Sequence, residues 1–282
     1  MELAIHRPAP PLGLHVEMMT FFAGLDPAHQ RQKLIPDGAI ELIVDLGERP
    51  KKLYASEHGP IATAFRGAWI SGMQRRPIII EAQPQASLFV IRFRPGGAHA
   101  LVRHDAETLT DSVFTLADVI DATSLRDCIL EAATPAGRFA AAEAWLLGRI
   151  GPRLGIDPVV RHLAARLGRG RVRDLVEATG YSDRHVRALF RRHVGVSPKQ
   201  FARIERFRGL LRGLSGVVID MEFRGAPLPP QDWARLAGAH GYADQSHLVH
   251  EFRAMSDMTP SAYLSAYRGL ENYLPIVTDG DS

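Results

Sequence analysis

Apolar residues change their spacing along this chain, and the changes divide it. Through about residue 97 they fall in short clusters separated by Gly and Pro, the spacing of strands. Ile40, Leu42, Ile43 and Val44 follow a Pro36-Asp37-Gly38 turn signal. Further strands are expected around Trp69–Ile70, Ile78–Ala82 and Leu88–Phe93, while His15–Leu25 reads as a strand or a short helix. Leu88, Val90 and Arg92 alternate with Phe89, Ile91 and Phe93, which puts one face of that strand largely in a core. Arg94-Pro95-Gly96-Gly97 ends it. The Pro-rich run from His6 to Leu14 suits neither a regular helix nor a central strand. From Thr115 the pattern turns helical, with Leu116, Val119 and Ile120, then Leu125–Leu130, then Phe139–Ile150, closing near Pro152 and Gly155.

Beyond that point the apolar period is helical throughout. Asp157-Pro158 caps a first helix with Val159, Leu163 and Leu167 facing inward. In the stretch from Arg171 to Gly195, Val172, Leu175 and Val176 share one helical face, Gly180 interrupts, and Val186, Leu189 and Phe190 resume the period. Ser182 stands where the second helix needs an N-cap oxygen. Two short apolar-striped helices across a Gly-containing turn make a helix-turn-helix. Residues Asp232 to Tyr263 repeat the pattern. The copies share Gly-Tyr (Gly180-Tyr181, Gly241-Tyr242), an Asp at the next helix start (Asp183, Asp244) and a Phe (Phe190, Phe252). Both then close on Ser/Thr-Pro with an aromatic three residues beyond the Pro (Phe201, Tyr263). A whole motif repeated is far harder to obtain by chance than one copy.

The pair resembles the C-terminal DNA-binding domain of the AraC/XylS transcriptional regulators. Gly241, Tyr242, Asp244, Ser246, Leu248, Phe252, Arg253 and Pro260 match that family's second motif, and the likeness covers roughly the last 40% of the chain. The N-terminal half resembles the cupin-like regions that precede such domains, through Pro36-Asp37-Gly38 and Arg92 to Gly97. The fold expected is α+β in two domains. A small cupin-like β-barrel or sandwich with trailing helices occupies 1–152 as a sensor or dimerisation domain. An all-α domain of two helix-turn-helix units joined by a linker helix occupies 156–271, followed by a tail over 272–282. The linker helix is expected over Phe201–Leu214. An insertion follows over about 215–230, in which Val217 to Phe223 form a strand-like or packed segment.

At 282 residues the chain has room for two domains, and its formal charge of +3 says little. Distribution says more: residues 161–212 carry 14 Lys/Arg against 4 Asp/Glu, a phosphate-facing charge. Cys128 is the single cysteine, which excludes an internal disulfide and a thiolate zinc site. It shares a helical face with Leu125 and Ile129 and is expected to be buried and inert. No apolar run approaches membrane-spanning length and no signal-like segment opens the sequence, so the expected location is cytoplasmic.

Groove-reading residues follow from the helical faces. In a first recognition helix over Ser182–Arg192, Val186, Leu189 and Phe190 face inward, and Arg184, Arg187, Ala188 and Arg191 face outward. The resemblance implies base contacts at Arg184, Arg187 and Ala188; Arg191 or Arg192 is assigned to phosphate. In a second, over Asp244–Ala254, Gln245, Ser246, Val249 and His250 face outward beside Arg253. Gln suits adenine, Val a thymine methyl, and His guanine or phosphate. Asp183 and Asp244 support the helix starts. The expected partner is double-stranded operator DNA. RNA polymerase, a small-molecule effector and a second copy of the chain are further partners the resemblance allows, and no cofactor or metal is expected. The alternative is a cupin-type metalloenzyme or ligand-binding protein with an appended DNA-binding domain. Its ligands would have to come from His99, His104 and Glu107, and five residues between the histidines do not put both on one strand face. A barrel-mouth pocket would draw on Trp69, Met73, Arg75, Arg76, Arg92 and Arg94.

Overall fold

The computed structural model describes residues 2–122, 124–151, 155–224, 232–269 and 271–276, with backbone alone over 217–224. Ten strands precede the helical region: β1 (Glu2–His6), β2 (Val16–Leu25), β3 (Arg31–Leu34), β4 (Glu41–Asp45) and β5 (Lys51–Tyr54), then β6 (Ile61–Phe65), β7 (Ala68–Ser71), β8 (Ile78–Glu81), β9 (Ala86–Phe93) and β10 (Val113–Thr115). An eleventh, β11 (Tyr273–Ile276), comes after the last helix. They form two antiparallel sheets, ordered β1-β2-β9-β4-β7-β10 and β11-β3-β8-β5-β6. Each sheet keeps two edges, so of the barrel and the sandwich expected from the sequence it is the sandwich that forms. Ile43 and Trp69 of the first sheet pack against Phe65 of the second, with Leu53, Leu88 and Val90 around them.

Three helices lie beside the sandwich: α1 (His99–Val102), α2 (Leu125–Glu131) and α3 (Pro135–Ile150). Thr134 caps α3 by accepting from the Gly137 amide, with Pro135 at its first position. Phe139 of α3 meets Phe89 of β9 at 5.5 Å. With α3 on one side and the second sheet on the other, β9 is covered on both faces, which is why it reads from Leu88 to Phe93 as an apolar run interrupted only by Arg92. Leu116, Val119 and Ile120, expected to be helical, make only a 3-10 turn at Leu116–Asp118. Cys128 is half-buried rather than enclosed.

The second domain runs α4 (Pro158–Ala164), α5 (Val172–Glu177), α6 (Asp183–Val194), α7 (Pro198–Arg224), α8 (Trp233–Ala239), α9 (Gln245–Ser256) and α10 (Pro260–Ala266). The Ser/Thr-Pro that closes each repeat is the start of the next helix. Ser197 Oγ accepts from the Gln200 amide while Gln200 Oε1 accepts from Ser197 N, a reciprocal cap. Thr259 caps α10 on the Ala262 amide. The linker helix does not stop at Leu214. It continues unbroken to Arg224, so Val217 to Phe223 are helical in backbone and the strand-like expectation is overturned. Gly225, Pro227, Pro229 and Pro230 lie outside the described residues, as does Pro152 at the expected boundary.

A single apolar cluster passes from Met19, Phe89 and Phe93 through Val160 and Leu163 to Phe190, Phe207 and Phe252. Two glycine turns let the domains meet. At Gly96 (φ +83°) a Cβ would stand 3.1 Å from Ile156 and Val160, and at Gly38 (φ +74°) 2.9 Å from the Glu205 carboxyl, so each side chain's absence permits the approach. The expected tail is also tied in. β11 adds to the edge of β3, and Asn272 reaches Asp37.

At the end of the sandwich where β11 arrives, Arg92 is nearly enclosed and pairs with Glu17, Asp37 and Glu41. Burial and the Asp37 charge push Glu41 up to about 7, against the Arg92 attraction. Between the ordinary carboxylate value of 4.5 and about 7, folded Glu41 therefore holds a proton that the unfolded chain releases. Its contribution to stability falls as pH rises through that window. Glu41→Gln is expected to flatten the decline, read as urea midpoints at pH 5 and pH 8. An undiminished decline in the variant would contradict this account.

Candidate nucleic-acid interface

Each helix-turn-helix is built from the same parts. Gly180 and Gly241 both turn the chain at φ +73°. Ser182 Oγ accepts from the His185 amide to cap α6, and Asp244 Oδ1 accepts from the His247 amide to cap α9. Val186, Phe190 and Val194 of α6 are buried, as are Leu248, Phe252 and Met255 of α9. In both copies the repeated Phe meets the aromatic beyond the Pro edge-on. Phe190 and Phe201 lie 5.9 Å apart at 62°, and Phe252 and Tyr263 lie 5.6 Å apart at 68°. The repeat in sequence is thus also a repeat in packing.

With those faces inside, Arg184, Arg187, Ala188, Arg191 and Arg192 of α6 are exposed, and so are Gln245, Ser246, His250 and Arg253 of α9. Val249 is half-buried and packs against the core, which leaves only part of it for an outside contact. Asp183 sits in the first turn of α6 and pairs with Arg187 at 2.7 Å. That pair is exposed on both sides and is worth about 0–1 kcal/mol, little resistance to Arg187 leaving it for another acceptor. Arg191 and Arg192 face Glu107 and Asp105 of the first domain, each at 3.5 Å.

The far ends of both helices are held by the first domain. Thr110 Oγ1 donates to the Gly195 carbonyl at 2.7 Å, directly after α6. Buried Lys33 of β3 donates to the carbonyl of Ser256, the last residue of α9, at 3.2 Å, and also pairs with Glu57. A cation at a helix C-terminus is favourably placed against the helix dipole. The Gly-Tyr copies differ in one respect: Tyr181 is exposed and stacks on His185, whereas Tyr242 is buried with Arg206 5.5 Å from its ring. Burial pushes the Tyr242 hydroxyl up to about 12. Arg203 of α7 clamps α9 from behind, donating to both Glu251 oxygens at 2.7 and 2.9 Å. No sequence signal marked Lys33, Thr110 or Arg203, whose partners lie 223, 85 and 48 positions away.

The other candidate chemistry is dispersed. His99 Nδ1 is 2.9 Å from the His104 carbonyl, and the His99 ring meets His193 at 4.2 Å. Burial, helped by His99, holds His193 below the usual imidazole range. Among the described residues no group of three or more His, Cys, Asp or Glu is arranged to hold a metal. Trp69 and Met73 are in the core, Arg75 binds Asp111, Arg92 its three carboxylates and Arg94 the Gly13 carbonyl, so these residues do not line one pocket. No described helix is long and apolar enough to cross a membrane.

Residues 4–115 match a family model described as a domain of unknown function, DUF6597. No curated protein matches the chain. Among solved structures, apo ToxT from Vibrio cholerae strain SCE256, a point variant, is 10% identical with a TM-score of 0.46, covering 88% of this chain and 97% of that one. Wild-type ToxT of the same strain with bound unsaturated fatty acid is 11% identical at a TM-score of 0.46, covering 89% and 96%. The AraC-like transcriptional activator CuxR is 13% identical at a TM-score of 0.24, covering 75% and 86%. Likenesses of that size carry no functional inference. In its own motifs, and in the order of an antiparallel β domain followed by a helical one, the chain resembles an AraC-like regulator.

Proposed function

We propose that this protein is a sequence-specific DNA-binding transcription regulator that reads two successive major grooves with α6 and α9. What supports the reading above all is duplicated geometry: two capped helices, each seated by the same Phe–aromatic contact and turned by a glycine at the same φ, with polar side chains left outward. A major groove admits such a helix, and Arg and Gln supply its commonest base contacts. Arg184 and Arg187 take bases from α6, and Gln245 and His250 from α9. Arg191, Arg192 and Arg253 take phosphate. The β domain modulates binding through its hold on the ends of both helices.

Selection of a preferred site from random duplexes, then anisotropy titration over its point variants, tests this. Arg184→Ala and Arg187→Ala are each expected to cost about 1–3 kcal/mol and to relax preference at one base pair. Uniform weakening across all variants would instead make the residue a phosphate contact. A second outcome concerns the seam. Asp105→Ala with Glu107→Ala frees Arg191 and Arg192 and removes two carboxylates beside the DNA face. Affinity is expected to rise a few-fold at low salt, with the gain vanishing as salt screens it. Unchanged or lower affinity at low salt would count against modulation through this contact.

A further inference from the structure

Between the two helix-turn-helix units lies an open cleft of about 840 Å³. Helix α7 is its floor, the turn between α4 and α5 one wall, and the end of α8 with Gly241 the other. Arg169 and Arg171 stand on the first wall, Arg206 and Arg212 on the floor, and His240 on the second wall. The single carboxylate in the lining, Glu205, is taken by Arg208. Arg206 is steered into place by the Gly241 carbonyl, 3.0 Å away. The exposed side chains of Arg169, Arg171 and Arg212 make no hydrogen bond or ion pair among the described residues. Burial holds His240 below the usual imidazole range, so the charge of the cleft is that of its arginines. Like charges gathered around a cleft whose one lining carboxylate is already paired focus a field that favours an anion.

A second observation is independent of charge. Gly209 lies inside α7, where it costs about 1 kcal/mol relative to Ala, and Gly238 lies in the last turn of α8. Packing among the described residues requires neither. A Cβ on Gly238 would meet nothing within 4 Å, and one on Gly209 nothing nearer than 3.7 Å. Both line the cleft, and bare backbone there keeps its surface low for something that approaches closely.

We propose that this cleft seats the sugar-phosphate backbone of the duplex where it crosses between the two grooves, with Arg169, Arg171, Arg206 and Arg212 on its phosphates. The inference rests on the reading of α6 and α9 as groove-binding helices and adds a contact between them. Guanidinium forks match phosphate oxygens bidentately. The open, arginine-rich lining is unlike the mostly apolar, enclosed pockets that hold small ligands. The cleft walls lead along the chain into the candidate helices: Gly241 precedes the turn into α9, and Arg171 stands at the N-cap of α5, the helix before α6.

The test uses the full chain and its selected duplex, comparing wild type with Arg169→Gln, Arg171→Gln, Arg212→Gln and the triple variant. Because these side chains are exposed, melting temperatures are expected to match wild type, and the single variants serve if the triple does not fold. Removing one arginine from a phosphate should flatten the slope of log K against log salt by about 0.9, with base preference unchanged. Ethylation of phosphates between the two half-sites should impede wild type and not the triple variant. An unchanged slope with an unchanged ethylation pattern overturns the proposal. So does calorimetric binding of pyrophosphate that the triple variant abolishes while the DNA slope stays at the wild-type value, since the occupant would then be a free phosphate compound. If the slope responds to the cleft but Arg184→Ala and Arg187→Ala leave base preference intact, the cleft contact stands and the groove-reading assignment fails. Absence of any DNA binding by wild type overturns both.

Discussion

Two backbone carbonyls at helix ends, Gly195 behind α6 and Ser256 in α9, tie the helical half of this molecule to its β half. Thr110 donates to one and Lys33 to the other. A helix presents free carbonyls at its C-terminus and free amides at its N-terminus, so gripping the C-terminal ends leaves the N-terminal ends open. Neither grip could form without the close approach of the domains, and that approach depends on the turns at Gly38 and Gly96. A side chain at Gly96 would crowd Ile156 and Val160 of the helical domain, one at Gly38 would displace the Glu205 carboxyl, and both would be strained at positive φ. The continuous apolar core is the result.

The two units are nonetheless held differently. The first is pressed onto the segment between β9 and β10, with the Glu107 and Asp105 carboxylates set against Arg191 and Arg192. The second is strapped from outside: after α10 the chain returns to the second sheet as β11, and Tyr263 donates to the Glu271 carbonyl along the way. Between them α7 is a single unbroken rod, clamped to α9 by Arg203 and Glu251. A change in the sandwich would therefore reach α6 through surface charge and a hydrogen bond, and α9 through strand pairing and Lys33.

Arginine shows how one residue type takes opposite roles here. Arg92 is sealed in the sandwich end among three carboxylates, where a buried charge survives only because it is paired. Arg184 stands in solvent on α6, and Arg169, Arg171 and Arg212 stand in the cleft between the two units with no carboxylate partner among the described residues. Local sequence distinguished the buried arginine only weakly. Arg92 occupies an alternating apolar strand, a hint of burial, yet its partners come from three other segments of the chain. The cleft arginines belonged to the basic stretch visible in the sequence, but nothing local separates them from a solvated helix face.

Periodicity determined the helix-turn-helix pairs, their caps and their inward faces, because a helix's apolar stripe, its N-cap oxygen and its terminal glycine all act within a few residues of one another. The same locality made β4, β7, β8 and β9 legible, each a compact apolar run between turns. It could not reveal β3, β5 or β11, which are short and mixed in polarity and exist as strands only because a neighbour pairs with them. Nor could it carry α7 past Leu214, where local composition reads as an insertion. Which side chains grip α6 and α9, which arginine is buried, and that the two units border a cationic cleft were decided by tertiary structure, because each depends on groups far apart in the chain being brought within a few ångströms.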